Sequence, residues 1–270
     1  MKQAWVNNCL ELCKTPADFY SGSRKIIQNL ELQFPFECDL TLADAGYTSM
    51  KMRQLERNYL WQESVDSAVD LWNRYRQRPK YRSVSFSCYG HFVKDHHGPR
   101  GSVMGPCMQS VVLTMDNKGK TAEITVLYRT TEIFKKFPAD LVFLKERLLS
   151  GFDFSEMTMA PIRCYYVNAT IHPAYFVILI PHLEDPIEEL RWLRKVDPYF
   201  WEWVVKWTAR YTIEKYSHGI AKFSQALQVK KYAVNRITGE KLIELQRYLE
   251  ENHPGYKHTS YSDEGEEDVD

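Results

Sequence analysis

Leu127-Tyr128-Arg129-Thr130-Thr131-Glu132-Ile133-Phe134-Lys135-Lys136-Phe137-Pro138-Ala139-Asp140-Leu141 is the stretch that decides the fold. A run of β-branched and alternating residues, 121–128, ends there in a basic and hydroxyl pair. The chain then turns through two lysines and is led by Pro138 into an apolar helix expected over 138–149, because proline suits a first helical turn. Upstream, Asp116-Asn117-Lys118-Gly119-Lys120 reads as a hairpin turn with Gly119 at positive φ, joining a strand over 109–115 to the one at 121–128. Further strands are predicted over 26–34, 82–89 and 165–171 from their alternation. Apolar residues at helical spacing over 50–78 (Leu55, Tyr59, Val65, Ala68, Trp72) predict one long helix or two joined ones, and 185–217, led by Pro186 and rich in tryptophan, predicts another. Strands interrupted by helices around a central hairpin argue for an α+β fold on a large mixed or antiparallel sheet.

Composition narrows the class. The chain has 270 residues, 44% hydrophobic and 14% aromatic, which excludes disorder as the main state. Its 35 basic and 35 acidic residues cancel, yet the last eight residues hold six acids, so the rest carries an excess of +6. That mild excess suits a phosphate-bearing small molecule at least as well as a nucleic acid. The run Tyr199, Phe200, Trp201, Trp203 and Trp207 beside Arg194 and Lys195 fits core or dimer packing at helical spacing, so nucleic acid is not an expected partner. No stretch has the ~18 apolar residues of a membrane span and the start lacks a signal-peptide pattern, so the expected location is cytoplasmic, in a host's cytoplasm if the source is viral. The cysteines (Cys9, Cys13, Cys38, Cys88, Cys107, Cys164) form no CxxC pair, and His96 and His97 are adjacent instead of spaced as ligands, so no metal site is expected. Nothing marks a domain boundary: one catalytic domain is expected over 1–251, with a flexible acidic tail at 252–270.

Two blocks carry chemistry. Pro106-Cys107 opens a predicted strand, and Arg129 follows Cys107 by 22 residues. With Leu127, Tyr128, Thr130, Glu132, Ile133, Phe134, Pro138 and Asp140, this resembles the thymidylate synthase family. That family has Pro-Cys opening a strand and then a run of the form Leu-Tyr-Gln-Arg-Ser-x-Asp-Val-Phe-Leu-Gly-Leu-Pro-Phe-Asn-Ile. Arg78-Pro79-Lys80-Tyr81-Arg82 is similar to the arm that reaches the neighbouring subunit's substrate phosphate, with Tyr81 in place of the first arginine. Ser21-Gly22-Ser23-Arg24 resembles the phosphate loop. Asn168-Ala169-Thr170-Ile171-His172 stands where the family reads the sugar, with Thr170 and His172 in place of His and Tyr.

The resemblance, closest to the deoxycytidylate (hydroxy)methyltransferase branch, implies a thymidylate-synthase-like homodimer whose sheet face forms the interface. It implies transfer of a one-carbon unit from 5,10-methylenetetrahydrofolate to C5 of dCMP or CMP, with either a methyl or a hydroxymethyl product. Cys107 would add its thiolate at C6, since C5 is a poor nucleophile until C6 is attacked. Arg129 would favour the thiolate. Arg24, Arg129, Thr130 and the partner's Arg82 would hold the phosphate, Asn168, Thr170 and His172 the sugar, and Glu132 the pterin. Asp140 stands where uracil-using members have Asn. A carboxylic acid can donate to cytosine N3 and accept from the N4 amino group, and a carboxylate can pair with cytosine protonated at N3, so Asp140 implies cytosine. The general base is expected to be Glu63, with Glu56 second. Two other readings stay open: uridylate methylation with Asp140 incidental as a helix cap, and a noncatalytic nucleotide- or RNA-binding relative.

Overall fold

The computed structural model describes residues 2–37, 40–42, 49–77, 82–88, 107–134, 136–173, 176–179, 183–210 and 236–252. His96, His97, Pro106, the arm residues before Arg82 and the acidic tail lie outside them. In chain order the elements are α1 (Lys2–Lys14), β1 (Phe19–Ser21), β2 (Arg24–Phe34), α2 (Ser49–Tyr59), α3 (Gln62–Gln77), β3 (Arg82–Ser87), β4 (Met108–Met115) and β5 (Thr121–Glu132). There follow α4 (Phe137–Phe143), which runs into a π-turn at Leu144–Leu148, β6 (Thr158–Met159), β7 (Ile162–Ile171), α5 (Phe176–Leu179), α6 (Pro186–Val196), α7 (Pro198–Arg210) and α8 (Arg236–Asn252).

Seven strands form one sheet in the order β1-β2-β7-β5-β4-β3, with β6 against β5. β5 is parallel to β7 and to β6, and the other pairs are antiparallel. The α+β class and mixed sheet agree with the sequence reading, and Gly119 has the expected positive φ, +65°. Three expectations are corrected. β5 does not stop at Tyr128: pairing with β7 carries it on to Glu132, opposite Thr170, so Arg129 and Thr130 lie inside the strand. The helix expected from 185 breaks at Asp197, because the residue before Pro198 is pushed out of helical geometry (φ −145°, ψ 75°). The helix expected over 138–149 turns from α to π geometry after Phe143.

One sheet face is packed by helices. Val111, Leu113, Ile124, Val126, Tyr128, Cys164 and Tyr166 on that face join Trp5 of α1, Leu55 and Tyr59 of α2, Trp72 of α3 and the apolar residues of α4 in one core. The opposite face leaves Leu127, Tyr165 and Val167 exposed.

Alternation slips on three neighbouring strands in one row. β2 has positive φ at Asn29 (51°). On β7 the buried positions change from 162, 164 and 166 to 169 and 171, and on β5 from 126 and 128 to 131. Pairing between these strands keeps a constant register through the row, so they kink together. A bulge between Met108 and Ser110 bends β4 just after Cys107. Kink and bulge meet where Cys107 and Arg129 lie side by side.

Candidate active site around Cys107 and Asp140

The β4–β5 pairing extends one step beyond β4: Arg129 N donates to Cys107 O at 2.7 Å. That bond fixes the half-buried Cys107 beside the arginine. From the core side, Tyr59 at the end of α2 reaches the thiol, and its hydroxyl hydrogen-bonds to the sulfur. α4 supplies the carboxyl. Every residue of α4 from Phe137 to Phe143 is buried, so Asp140 is a charged residue on a helix that is otherwise apolar on all sides. It is 2% exposed, and the helix start has no side-chain cap, so Asp140 neither caps nor solvates it.

Burial pushes the Asp140 carboxyl up to about 7, against the pull of Lys51 and then Lys136, the charged groups that act on it. Acid and carboxylate forms are therefore both populated near neutral pH. Cys107 responds to the same surroundings. Its thiol is pushed up, first by burial and then by Asp140, and Lys136, Arg129 and the Tyr59 hydrogen bond pull the other way without overcoming this. Arg129 acts in the expected direction, toward the thiolate, but desolvation of the thiolate is larger. Cys88, at the end of β3, is also pushed up, to about 12, by burial and then by Asp140.

The exposed Arg129 lies beside the half-buried Cys107, which also feels the Asp140 carboxyl, while the charges that act on Asp140 itself are Lys51 and Lys136. Beside them, Thr130 pairs with Asn168, which accepts from Gln28 Nε2 at 3.2 Å. Glu132 is half-buried and its Oε1 accepts from His172 N at 3.4 Å. The Thr170 hydroxyl donates to Thr131 O at 2.8 Å, and His172 is buried at the end of β7.

Four other residues stand apart. Arg24 is exposed and lies four positions before Gln28, roughly 13 Å along the sheet from the Thr130–Asn168–Gln28 row. Arg82 is opposite Met115, at the end of β3 away from Cys107, with its guanidinium 5.5 Å from the Tyr75 ring. Glu63 is exposed on the first turn of α3, where neighbouring Ser64 Oγ accepts from Ser87 N at 3.3 Å. Glu56 is committed to Arg147, at 2.6 Å. Neither glutamate acts on Asp140, because α2 turns Glu56 toward Arg147 and α3 turns Glu63 toward solvent.

Sequence reasoning missed Lys51 and Tyr59. A signal was present: Lys51, Leu55 and Tyr59 are spaced i, i+4, i+8, so a lysine sits on the apolar stripe of a helix. Among the described residues no cluster of His, Cys, Asp and Glu could hold a metal ion, and no helix is long and apolar enough to cross a membrane.

No family model matches the chain, and no curated protein matches it. Among solved structures, thymidylate synthase from T4 phage is similar at 8% identity, with a TM-score of 0.37, over 62% of this chain and 76% of that one. A superposition of that quality says nothing about activity.

Proposed function

We propose that the protein transfers a one-carbon unit to C5 of a cytidine monophosphate, in its deoxy form, through a Cys107 adduct at C6. The observation that carries this reading is the pairing of a thiol with a buried carboxyl that titrates near neutral pH. A carboxylate fully exposed to water, or one locked in an ion pair, could not serve as the neutral acid that donates to cytosine N3 and accepts from the N4 amino group. A polar mismatch in a closed pocket costs about 1–3 kcal/mol, enough to discriminate cytosine from uracil. The motif order around Cys107 and Arg129 supports the same chemistry.

In this reading Cys107 supplies the nucleophile. Arg129 and Thr130 bind the phosphate, and Asn168, Thr170 and His172 line the sugar side. For the folate, Glu132 fits by chemistry: it is a half-buried carboxylate near the site, and ring N–H groups need such an acceptor. Methylenetetrahydrofolate would supply the one-carbon unit. The exposed Leu127, Tyr165 and Val167 give the sheet a face for a second copy. Arg82, remote from Cys107 within one chain, would act across that interface, and Arg24 would bind the phosphate from the start of β2. Residues 1–251 would form one catalytic domain.

A second reading, a noncatalytic nucleotide-binding relative, is favoured by two observations: the Cys107 thiol is pushed up, and neither glutamate acts on Asp140. Tritium release from C5-labelled dCMP and dUMP, with methylenetetrahydrofolate, separates the readings. Release from dCMP alone supports the proposal, release from dUMP alone points to uridylate methylation, and nucleotide binding without release identifies the binding protein.

A further inference from the structure

A groove of about 360 Å³ opens between the end of α1, α6 and α8, none of which carries a residue of the site described above. Its wall on α6 is a helical stripe, Glu188, Arg191, Trp192 and Lys195, with Arg194 beside it. α1 contributes Lys14 and α8 contributes Tyr248. Each acid of the groove is already matched: Lys14 lies 3.3 Å from Glu189, and Arg191 pairs with Glu188. The same two cations sit on rings, Lys14 over Trp192 at 4.5 Å and Arg191 over Tyr248 at 4.9 Å, so α6 is tied to both neighbours. Arg194 and Lys195 are exposed, with no acid within ion-pair distance among the described residues, and Arg194 is held over the Trp201 ring at 4.9 Å. As bases in the last turn of α6 they offset its dipole, a role that leaves their outer sides to water.

The chain itself supplies the complementary charge. α8 ends at Asn252, one helical turn, about 6 Å, past Tyr248. Residues 253–262 contain no acid, and Asp263-Glu264-Gly265-Glu266-Glu267-Asp268-Val269-Asp270 then holds six acids and no base. Asp263 is eleven residues beyond Asn252, a length of chain that spans up to about 36–40 Å, several times the distance back to Tyr248. Pro254-Gly255, just after the helix, is a pair that favours a tight turn and so a chain that doubles back along α8. Tethering matters because exposed ion pairs are individually weak. An attached segment is presented at an effective concentration on the order of millimolar, which a free anion would have to match by its own abundance. We propose that residues 263–270 dock in this groove against Arg194 and Lys195 of their own chain. The docked segment lies across α6 and α8 and holds α8 on the body, where it is otherwise seated through Leu245, Leu249 and the Tyr248 ring.

The test uses the full chain at low micromolar concentration, as an equal mixture of unlabelled and ¹⁵N-labelled protein, treated with a carbodiimide that joins a carboxyl to an amine only where the two touch. Lys195 and Lys14 supply amines in the groove, and Lys118, on the β4–β5 turn, is an amine outside it. Digestion and mass spectrometry should find 263–270 joined to Lys195 and Lys14 within one isotopic chain. Those joins should be lost in 0.5 M NaCl, because salt screens exposed pairs, and should fall at least about threefold in Arg194→Glu. Joins that mix the isotopes equally place the acids on a second copy and overturn the proposal. Joins to Lys118 as frequent as to Lys195, no joins to the groove at all, or joins unchanged in Arg194→Glu overturn it as well.

Amide hydrogen exchange of α8 gives the second readout. It compares wild type with a full chain in which the six acids are replaced by their amides: Asp263→Asn, Glu264→Gln, Glu266→Gln, Glu267→Gln, Asp268→Asn and Asp270→Asn. At low salt residues 244–252 should exchange about three- to tenfold faster in the amide variant, and in 0.5 M NaCl wild type should rise to the variant's rate. Equal rates at low salt remove the hold on α8.

Discussion

Replacing Asp140 by asparagine should make the protein more stable, and the gain should depend on pH in a way that follows from the structure. A carboxyl that titrates at about 7 in the folded state and at the ordinary 3.8 when unfolded holds a proton in the native state that the unfolded chain has released. Between those values stability falls as pH rises, by about 1.36 kcal/mol per pH unit. The contribution is fully present below about pH 4, is lost through the window up to about 7, and is flat above it. Over the whole window the loss is about 4 kcal/mol, an upper figure since the site can relax and admit water once ionised. The asparagine side chain keeps the volume and has nothing to ionise. Urea denaturation of wild type and Asp140→Asn at half-unit steps from pH 4 to 9 should give two curves whose separation grows from pH 4 upward. By pH 8 it should have increased by at least about 2 kcal/mol in favour of the variant. Parallel curves would falsify the burial argument, and with it the case that Asp140 is held at a cost to stability. Destabilisation by the asparagine at pH 8 would mean instead that the ionised carboxyl is well paired.

Three more expectations follow from other parts of the molecule. Tyr59→Phe removes the hydrogen bond to the Cys107 sulfur, so the thiol should titrate higher and iodoacetamide alkylation of Cys107 at pH 8 should slow by about three- to tenfold, for a bond of ~1 kcal/mol; an unchanged rate would show that the contact is idle. Lys25→Met strips the fully buried ammonium that lies 2.6 Å from Asp197 and also donates to Cys13 O, which should cost about 3–5 kcal/mol, with Lys25→Met/Asp197→Asn recovering part of it in the same denaturation assay. Val167→Asp places a charge on the most exposed apolar position of the open sheet face, 55% accessible, and should shift a dimer toward monomer in sedimentation velocity; a protein that sediments as the same species with and without the charge has no interface there.

What could be seen in the sequence was local. The strands around the Asp116–Lys120 turn and the helical stripe of Leu55, Val65 and Trp72 announce themselves within windows of a few turns or one strand pair, whereas Cys107, Arg129 and Asp140 stand out only through the resemblance to a family motif. α1 was missed because its buried positions, Trp5, Val6, Cys9, Leu12 and Cys13, form a continuous stripe only if cysteine is counted as the small apolar residue it is here. Asn7 and Asn8 between them lower helix propensity and hide the period. The break at Asp197 was equally local, since Pro198 follows it. What could not be seen was what Asp197 does: its carboxylate accepts from Lys25 Nζ, the Tyr20 hydroxyl and Phe200 N, which ties the β1–β2 hairpin to the start of α7 across more than 170 residues of sequence.

Tertiary burial also decides what the site can do. In the sequence, Asp140 two residues after a proline is indistinguishable from an acid that favours a helix start, and Lys51 is one more base on an amphipathic helix. Each residue taken alone would be exposed and ordinary. Their chemistry changes only because α4 is covered on every side and α2 lays Lys51 and Tyr59 against it. The same covering raises Asp140 toward neutrality and makes Cys107 a reluctant thiolate. Those two shifts are coupled: if a bound base holds Asp140 in its neutral form by accepting a hydrogen bond from it, the second-largest cause holding Cys107 up disappears. A ligand that engages Asp140 as an acid therefore relieves part of the upward push on the thiol, while burial, the larger cause, remains.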